Sequence, residues 1–403
     1  MDLLRLATAG SVDDGKSTLI GRLLYDARAV LADQLAHVEA ASRNGGVDLA
    51  LLTDGLRAER EQGITIDVAY RHFATARRRF ILADTPGHAQ YTRNMVTGAS
   101  TAELALVLVD VRHGMTQQTR RHLTIARLLE VRHVVVAVNK MDLAGYAEDA
   151  FDDVVRAVLD FTAGLGLRDV GFIPLSALHG DNVLERSPAM PWYAGPPLLE
   201  YLETVPVEDA ARALPARLAV QTVLRGDERW YAGRLVAGTL RVGDEVVVLP
   251  SGVRTRVAAV STAGTGADIV EAPLSVAVRL ADQVDVGRGD VLAGADDPPR
   301  VAREVEASVC WLGDRPGAAG SRYLLKQGTR TVRARLDAVQ TGLDLTNAAW
   351  SPADELALND VGTVRIRTGS DVVVDPYARI RGTGGFILID EQTNDTVAAG
   401  MVR

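Results

Sequence analysis

The chain has 403 residues and a formal net charge of −8. That length calls for two or three domains, and the acidic balance disfavours a broad nucleic-acid footprint, which needs a basic face. No apolar run reaches the roughly eighteen residues of a membrane span, and the single cysteine, Cys310, excludes a disulfide framework and fits a reducing cytoplasm.

The N-terminus runs straight into a strand-like pattern at residues 3–9, without a signal-peptide layout. Further apolar strands are predicted over 64–73, 79–83, 104–110, 133–139 and 171–175, with helical patterns such as 117–129 and 150–162 between the later ones. This alternation implies βαβ units: an α/β domain with a mostly parallel sheet and helices on both faces. A proline-rich break over 187–197 and a short helix to Leu202 follow. After about Arg212 the texture changes to short Val-rich runs separated by turn signals, as in Arg225-Gly226-Asp227 and Gly287-Arg288-Gly289-Asp290, which reads as a closed all-β barrel. Asp296-Asp297-Pro298-Pro299 marks a second boundary, and the strand patterns at 332–336, 362–367 and 386–389 read as a second barrel. The expected domains are therefore 1–207, 208–298 and 299–403. Cys310 lies in the apolar run Val309-Cys310-Trp311-Leu312 and reads as a buried strand residue.

The strongest chemical signal is Gly10-Ser11-Val12-Asp13-Asp14-Gly15-Lys16-Ser17, followed by Thr18. It is a G-x-x-x-x-G-K-S loop between a strand and a helix, the setting in which backbone N–H groups and a helix N-terminus wrap phosphates. Lys16 is expected to reach the β- and γ-phosphates, and the Ser17 hydroxyl to bind Mg²⁺. Asp84-Thr85-Pro86-Gly87-His88 follows a strand directly: Asp84 could hold Mg²⁺ through water, the Gly87 N–H could approach the γ-phosphate, and His88 could orient the attacking water. Asn139-Lys140-Met141-Asp142 closes another strand. The Asp142 carboxylate suits the two N–H donors of guanine, which adenine cannot offer, and the Lys140 stem can pack over the base. Ser176-Ala177-Leu178 completes the base pocket with backbone contacts. Thr65, in Arg60-Glu61-Gln62-Gly63-Ile64-Thr65, is the candidate for closing over Mg²⁺ and the γ-phosphate as a switch segment. The other six histidines lack such context and read as solvated or structural. Only three of the 44 basic residues are lysines, and two of them, Lys16 and Lys140, fall in these motifs; the third, Lys326, is either a solvated strand lysine or a specific contact.

These spellings, with a nucleotide-binding domain followed by two barrels, resemble the translational GTPases related to elongation factor Tu. Within that superfamily the chain looks like the large, GTPase subunit of bacterial ATP sulfurylase. The stretches that carry this are Gly10 to Tyr25, Met190-Pro191-Trp192-Tyr193-Ala194-Gly195-Pro196-Pro197-Leu198-Leu199-Glu200, and Arg381-Gly382-Thr383-Gly384-Gly385-Phe386 through Gly400-Met401. The segment Asp227-Glu228-Arg229-Trp230-Tyr231 departs from the pattern and is shorter than the family's first-barrel loop. The resemblance implies GTP as substrate with Mg²⁺. It also implies a smaller catalytic partner subunit that makes adenosine 5′-phosphosulfate and pyrophosphate from ATP and sulfate, driven by GTP hydrolysis. Some relatives carry a fused adenylylsulfate kinase; no second G-K-[ST] loop is present here, so that fusion is not expected. The competing reading is an elongation factor delivering aminoacyl-tRNA, against which the 190–200 segment and the last barrel stand. A stand-alone regulatory switch sits poorly with two large barrels.

Overall fold

The computed structural model describes residues 2–27, 49, 67–167, 169–207, 210–226 and 228–403. The switch segment around Thr65 and the start of the strand expected from 64 lie outside the described residues. The chain divides into two compact units, Met1–Val207 with Asp344–Ala349, and Glu208–Leu343 with Trp350–Arg403.

Among the described residues the first unit is built on six strands: β1 (Leu3–Ala9), β2 (Ala69–Ala74), β3 (Arg79–Asp84), β4 (Leu104–Asp110), β5 (His133–Asn139) and β6 (Val170–Pro174). Their order in the sheet is β2-β3-β1-β4-β5-β6. All neighbours are parallel except the edge pair β2–β3. Every residue of β4 is buried, which requires cover on both faces of the sheet and explains why the central strands are continuous apolar runs rather than alternating ones. Among the described residues the helices are α1 (Lys16–Asp26), α2 (Thr92–Ala99), α3 (Gln117–Leu128), α4 (Glu148–Leu165) and α5 (Leu198–Thr204). Leu19, Ile20 and Leu23 of α1 and Leu198 and Leu202 of α5 share one core with Leu4, Leu6, Leu82, Leu106 and Val135 of the sheet. Helix α3 starts on a reciprocal capping box between Thr116 and Thr119. Because β1, β3, β4 and β5 are parallel, their C-terminal ends, and the polar residues that terminate them, meet along one edge.

The second unit holds two six-stranded rings. In the first, the strands Glu245–Leu249, Val291–Gly294, Arg217–Arg225, Arg229–Ala237, Leu274–Leu280 and Val253–Thr262 pair in that order and close back on the first. In the second, Arg322–Gln327, Gly385–Ile389, Thr396–Val402, Arg300–Trp311, Val361–Val374 and Arg330–Asp344 do the same. Closure leaves each ring without a free edge. Arg217 of the first ring and Asp375, just after the Val361–Val374 strand of the second, form a fully buried two-pronged ion pair at 2.9 and 3.1 Å, and Thr383 donates a third bond to the same carboxylate at 2.6 Å. Cys310 is fully buried in its strand. Lys326 is exposed on its strand. Among the described residues no helix is long and apolar enough to cross a membrane.

Candidate functional site

The loop between β1 and α1 is the centre of the site. Asp13 and Gly15 both take left-handed backbone conformations, at φ 69° and 88°, and Gly15 is the residue that caps α1. A Cβ on Gly15 would collide with the Asn139 side chain, so glycine is required there for space as well as conformation. Val12 and Asp13 are exposed on the crest of the loop, Ser11, Ser17 and Thr18 are half-buried, and Asp14 and Lys16 are buried. The Asp14 carboxylate accepts from the Ser11 N–H at 2.6 Å and closes the turn. Burial pushes its carboxyl up to about 6 against that hydrogen bond.

The segment of Asp84 to His88 runs against this loop. Thr85 donates to the Thr8 carbonyl at 2.6 Å, and a Cβ at Gly87 would overlap the Gly10 carbonyl oxygen, so the chain passes backbone to backbone. Asp84, at the end of β3, forms a buried ion pair with Lys16. His88 is exposed, its Nδ1 accepts from the Gln90 N–H at 3.4 Å, and its ring lies edge-on to Tyr91 with centroids 6.1 Å apart.

The Asn139–Asp142 motif binds two other segments together. The Asn139 side chain, buried, donates to the Asp14 carbonyl at 2.7 Å and accepts from the Ala177 N–H at 2.9 Å. One amide therefore ties the phosphate loop to the segment of Ser176 to Leu178. Lys140 sits at φ 64° and its ammonium donates to the Asp13 carbonyl. Asp142 is mostly buried, with His179 Nε2 at 3.8 Å. Ser176 is buried and its hydroxyl accepts from the His179 N–H at 3.3 Å, while the Leu178 side chain is exposed. The structure thus brings Gly10 to Thr18, Asp84, Gly87, Asn139, Lys140, Ser176 and Ala177 into one continuous site at the C-terminal edge of the sheet.

Several residues here were not singled out from the sequence. Asp110, at the end of β4, has a fully buried carboxylate that accepts from Lys140 at 3.0 Å and from Arg112 at 2.6 and 3.0 Å. Burial would raise this carboxyl, but the Arg112 side-chain and backbone bonds and the Lys140 ammonium hold it well below the usual carboxylate range. Thr116 meets the Ser11 hydroxyl at 2.8 Å, and Arg22 donates to the Leu178 carbonyl at 2.7 Å. His179 borders Asp142 rather than open solvent alone, and His122 of α3 is fully buried, its imidazole pushed down to about 3 by burial and by Arg121 and Lys16. The signal for Asp110 was present: like Asp84 and Asn139, it is a polar residue ending a buried parallel strand.

The donors available for a metal ion are hard oxygens, the Ser17 hydroxyl and the Asp84 carboxylate, which suit Mg²⁺. Among the described residues no group of three or more His, Cys, Asp or Glu side chains could hold a metal by itself, so phosphate oxygens would have to complete the shell. The buried Lys16–Asp84 pair sets a cation and a carboxylate at the same point of the loop, and this fits a phosphate-bound magnesium.

Residues 1–208 match the family model of the elongation factor Tu GTP binding domain, and residues 304–403 that of the GTP-eEF1A C-terminal domain-like family. The chain is 54% identical over 413 residues to the bifunctional enzyme CysN/CysC of Mycobacterium tuberculosis, covering 99% of this chain and 67% of that protein. It is 48% identical over 412 residues to sulfate adenylyltransferase subunit 1 of Shewanella oneidensis (99% and 85% covered) and 47% over 409 residues to the protein of the same name from Citrobacter koseri (100% and 86%). The chain belongs to the sulfate adenylyltransferase subunit 1 family, and its N-terminal half is a GTPase domain of the elongation factor Tu type.

Proposed function

We propose that this chain is the GTPase subunit of an ATP sulfurylase: it hydrolyses GTP and so drives a smaller partner subunit to form adenosine 5′-phosphosulfate and pyrophosphate from ATP and sulfate. The observation that carries the reading is the Asn139 clamp, which joins the phosphate loop and the Ser176-Ala177-Leu178 segment through one buried amide. Identity of 47–48% over 99–100% of this chain to relatives named sulfate adenylyltransferase subunit 1 supports the same assignment. The adenylyl-transfer residues lie on the partner. The first domain is taken as 1–207 and the barrels as 208–298 and 299–403.

In this reading the backbone N–H groups of residues 10–17 and the N-terminus of α1 cradle the phosphates, with Lys16 on the β- and γ-phosphates. Asp142 accepts from guanine, and Lys140 covers the base. Ser17 and Asp84 would hold Mg²⁺, with Thr65 joining in the GTP state, and the ion would supply neutralisation of phosphate charge. His88 orients the attacking water. It lies exposed beside Tyr91, so its alignment depends on closure of the surrounding segments, and the chain alone turns GTP over slowly. The test is co-purification of the native protein followed by measurement of sulfate-dependent pyrophosphate release. Release that needs GTP supports the assignment, and release indifferent to GTP, or absent with the partner in hand, overturns it. An elongation-factor role would show instead as GTP-dependent binding of aminoacyl-tRNA.

A further inference from the structure

Asp110 and Asn139 face each other in the parallel β4–β5 register, and the Val111 N–H extends that pairing to the Asn139 carbonyl at 3.1 Å. This places the Asp110 carboxylate beside the first residue after β5, which is Lys140. Lys140 has a left-handed backbone, a conformation that is unfavourable for a side-chain-bearing residue and does not by itself aim the side chain. Its ammonium is aimed by two anchors, the Asp13 carbonyl and Asp110 Oδ2 at 3.0 Å. The Asp110 carboxylate is fully buried while Lys140 keeps about a fifth of its side chain exposed, so the acid is the fixed partner and the lysine the placed one.

The other donors on Asp110 come from the turn that follows it. Arg112 gives Nε and its backbone N–H to Oδ1, both at 3.0 Å, and Nη2 to Oδ2 at 2.6 Å. The His113 and Gly114 N–H groups bond the Asp110 carbonyl at 3.0 Å, and the His113 ring stands 3.7 Å from Oδ2. Arg112 is itself 43% exposed. Its guanidinium completes the carboxylate's hydrogen bonds from the solvent side, which leaves Oδ2 shared between a rim arginine and the site lysine.

We propose that Asp110 is a positioning residue for guanine-nucleotide binding: it acts through Lys140, holding the ammonium against the phosphate loop, while Arg112 saturates the remaining acceptor capacity without carrying affinity. This rests on the reading of the site as a guanine-nucleotide site. Removal of the Asp110 charge frees the Lys140 stem from its place over the base, so affinity for GDP and GTP falls together. The rate at saturating GTP is left alone, because the Asp110 carboxylate acts through Lys140 and not on His88, and the Asp110 main chain, which bonds the Asp14 carboxylate of the phosphate loop, is unchanged by the substitution.

The experiment is a double-mutant cycle in the full chain, read by titration with a fluorescent GDP analogue and by competition with unlabelled GTP. Asp110→Asn is expected to raise both dissociation constants about tenfold or more, with KM for GTP rising and kcat unchanged. Lys140→Met is expected to cost a similar factor, and the double variant no more than Lys140→Met alone, because the two act as one unit. Arg112→Gln is expected to stay within about threefold of the parent. Should Asp110→Asn fail to fold, as judged by thermal unfolding, Asp110→Glu serves in the same cycle, since the longer carboxylate cannot keep the 3.0 Å contact without displacing Lys140. Multiplying effects in the double variant, unchanged affinity in Asp110→Asn, or a loss in Arg112→Gln as large as that in Asp110→Asn would each overturn the assignment to Lys140. If the parent chain itself binds no GDP, the site reading fails rather than this one.

Discussion

Replacing Asn139 by alanine isolates the contact that makes the site one piece. The side chain is 2% exposed and makes two bonds of normal length, to the Asp14 carbonyl at 2.7 Å and from the Ala177 N–H at 2.9 Å. Truncation leaves a buried carbonyl and a buried N–H without partners, and each such group costs about 1–3 kcal/mol. The summed loss is about 2–6 kcal/mol. Both orphaned groups belong to nucleotide-facing segments, so most of the loss falls on the bound state. At about 1.4 kcal/mol per decade, affinity for GDP should drop at least about 30-fold. Asn139→Asp keeps an acceptor for Ala177 but turns an oxygen toward the Asp14 carbonyl, so its loss should be no smaller. The assay is displacement of a fluorescent GDP analogue, with thermal unfolding of the nucleotide-free chain as control. A folded Asn139→Ala chain that binds GDP within threefold of the parent would refute the clamp.

Three further outcomes are expected. Asp142→Asn should lower GTP affinity by orders of magnitude and raise affinity for xanthosine nucleotides, whose edge complements the amide; a nucleotide titration that finds GTP binding unchanged removes Asp142 from the base pocket. Asp14 has a folded-state pKa of about 6, above the ordinary 3.8. Its stabilising contribution is therefore fully present below about 3.8 and is lost as pH rises through about 6. Asp14→Asn should make the nucleotide-free chain more stable at pH 7.5, by at most about 3 kcal/mol, with the advantage gone by about pH 4; denaturation curves that differ by the same amount at both pH values would contradict this. Gly87→Ala places a methyl on the Gly10 carbonyl, and should leave GDP bound while weakening GTP, so equal effects on the two nucleotides would count against the close approach.

Much of the first unit was legible from the chain alone. The expected strands at 3–9, 104–110 and 133–139 coincide with β1, β4 and β5, because a parallel strand buried on both faces is an unbroken apolar run with a polar stop. The expected strand at 171–175 shifted by one residue to Val170–Pro174, and the helix expected over 150–162 runs longer, Glu148–Leu165. The barrel strands were read too short. The pattern at 332–336 is a fragment of Arg330–Asp344, and the pairing of that strand slips between Leu336 and Ala338 and again between Val339 and Thr341. Each slip breaks the period-two alternation by which a strand is recognised. The Asp110–Lys140 pair and the Arg217–Asp375 pair were not legible, since each joins residues far apart in sequence through strand register or barrel packing. The motif residues could be read because their chemistry is local in sequence; Asp110 carries only the weaker signal of a polar residue ending a buried strand, and its pairing with Lys140 carries none.

The central claim is that GTP hydrolysis here is coupled to sulfate activation through His88. The most direct test follows phosphate release from GTP and pyrophosphate release from ATP in one reaction, with and without the partner subunit, ATP and sulfate, for the parent chain and for His88→Ala. The expected result is slow GTP turnover by the isolated chain and a sharp rise in the complete mixture, since completion of a GTPase site by a partner can be worth roughly 10³–10⁵-fold. His88→Ala should keep nucleotide binding and complex formation but lose both the stimulated phosphate release and the GTP-dependent pyrophosphate release. Fast GTP turnover by the isolated chain, indifferent to partner, ATP and sulfate, would contradict the coupling.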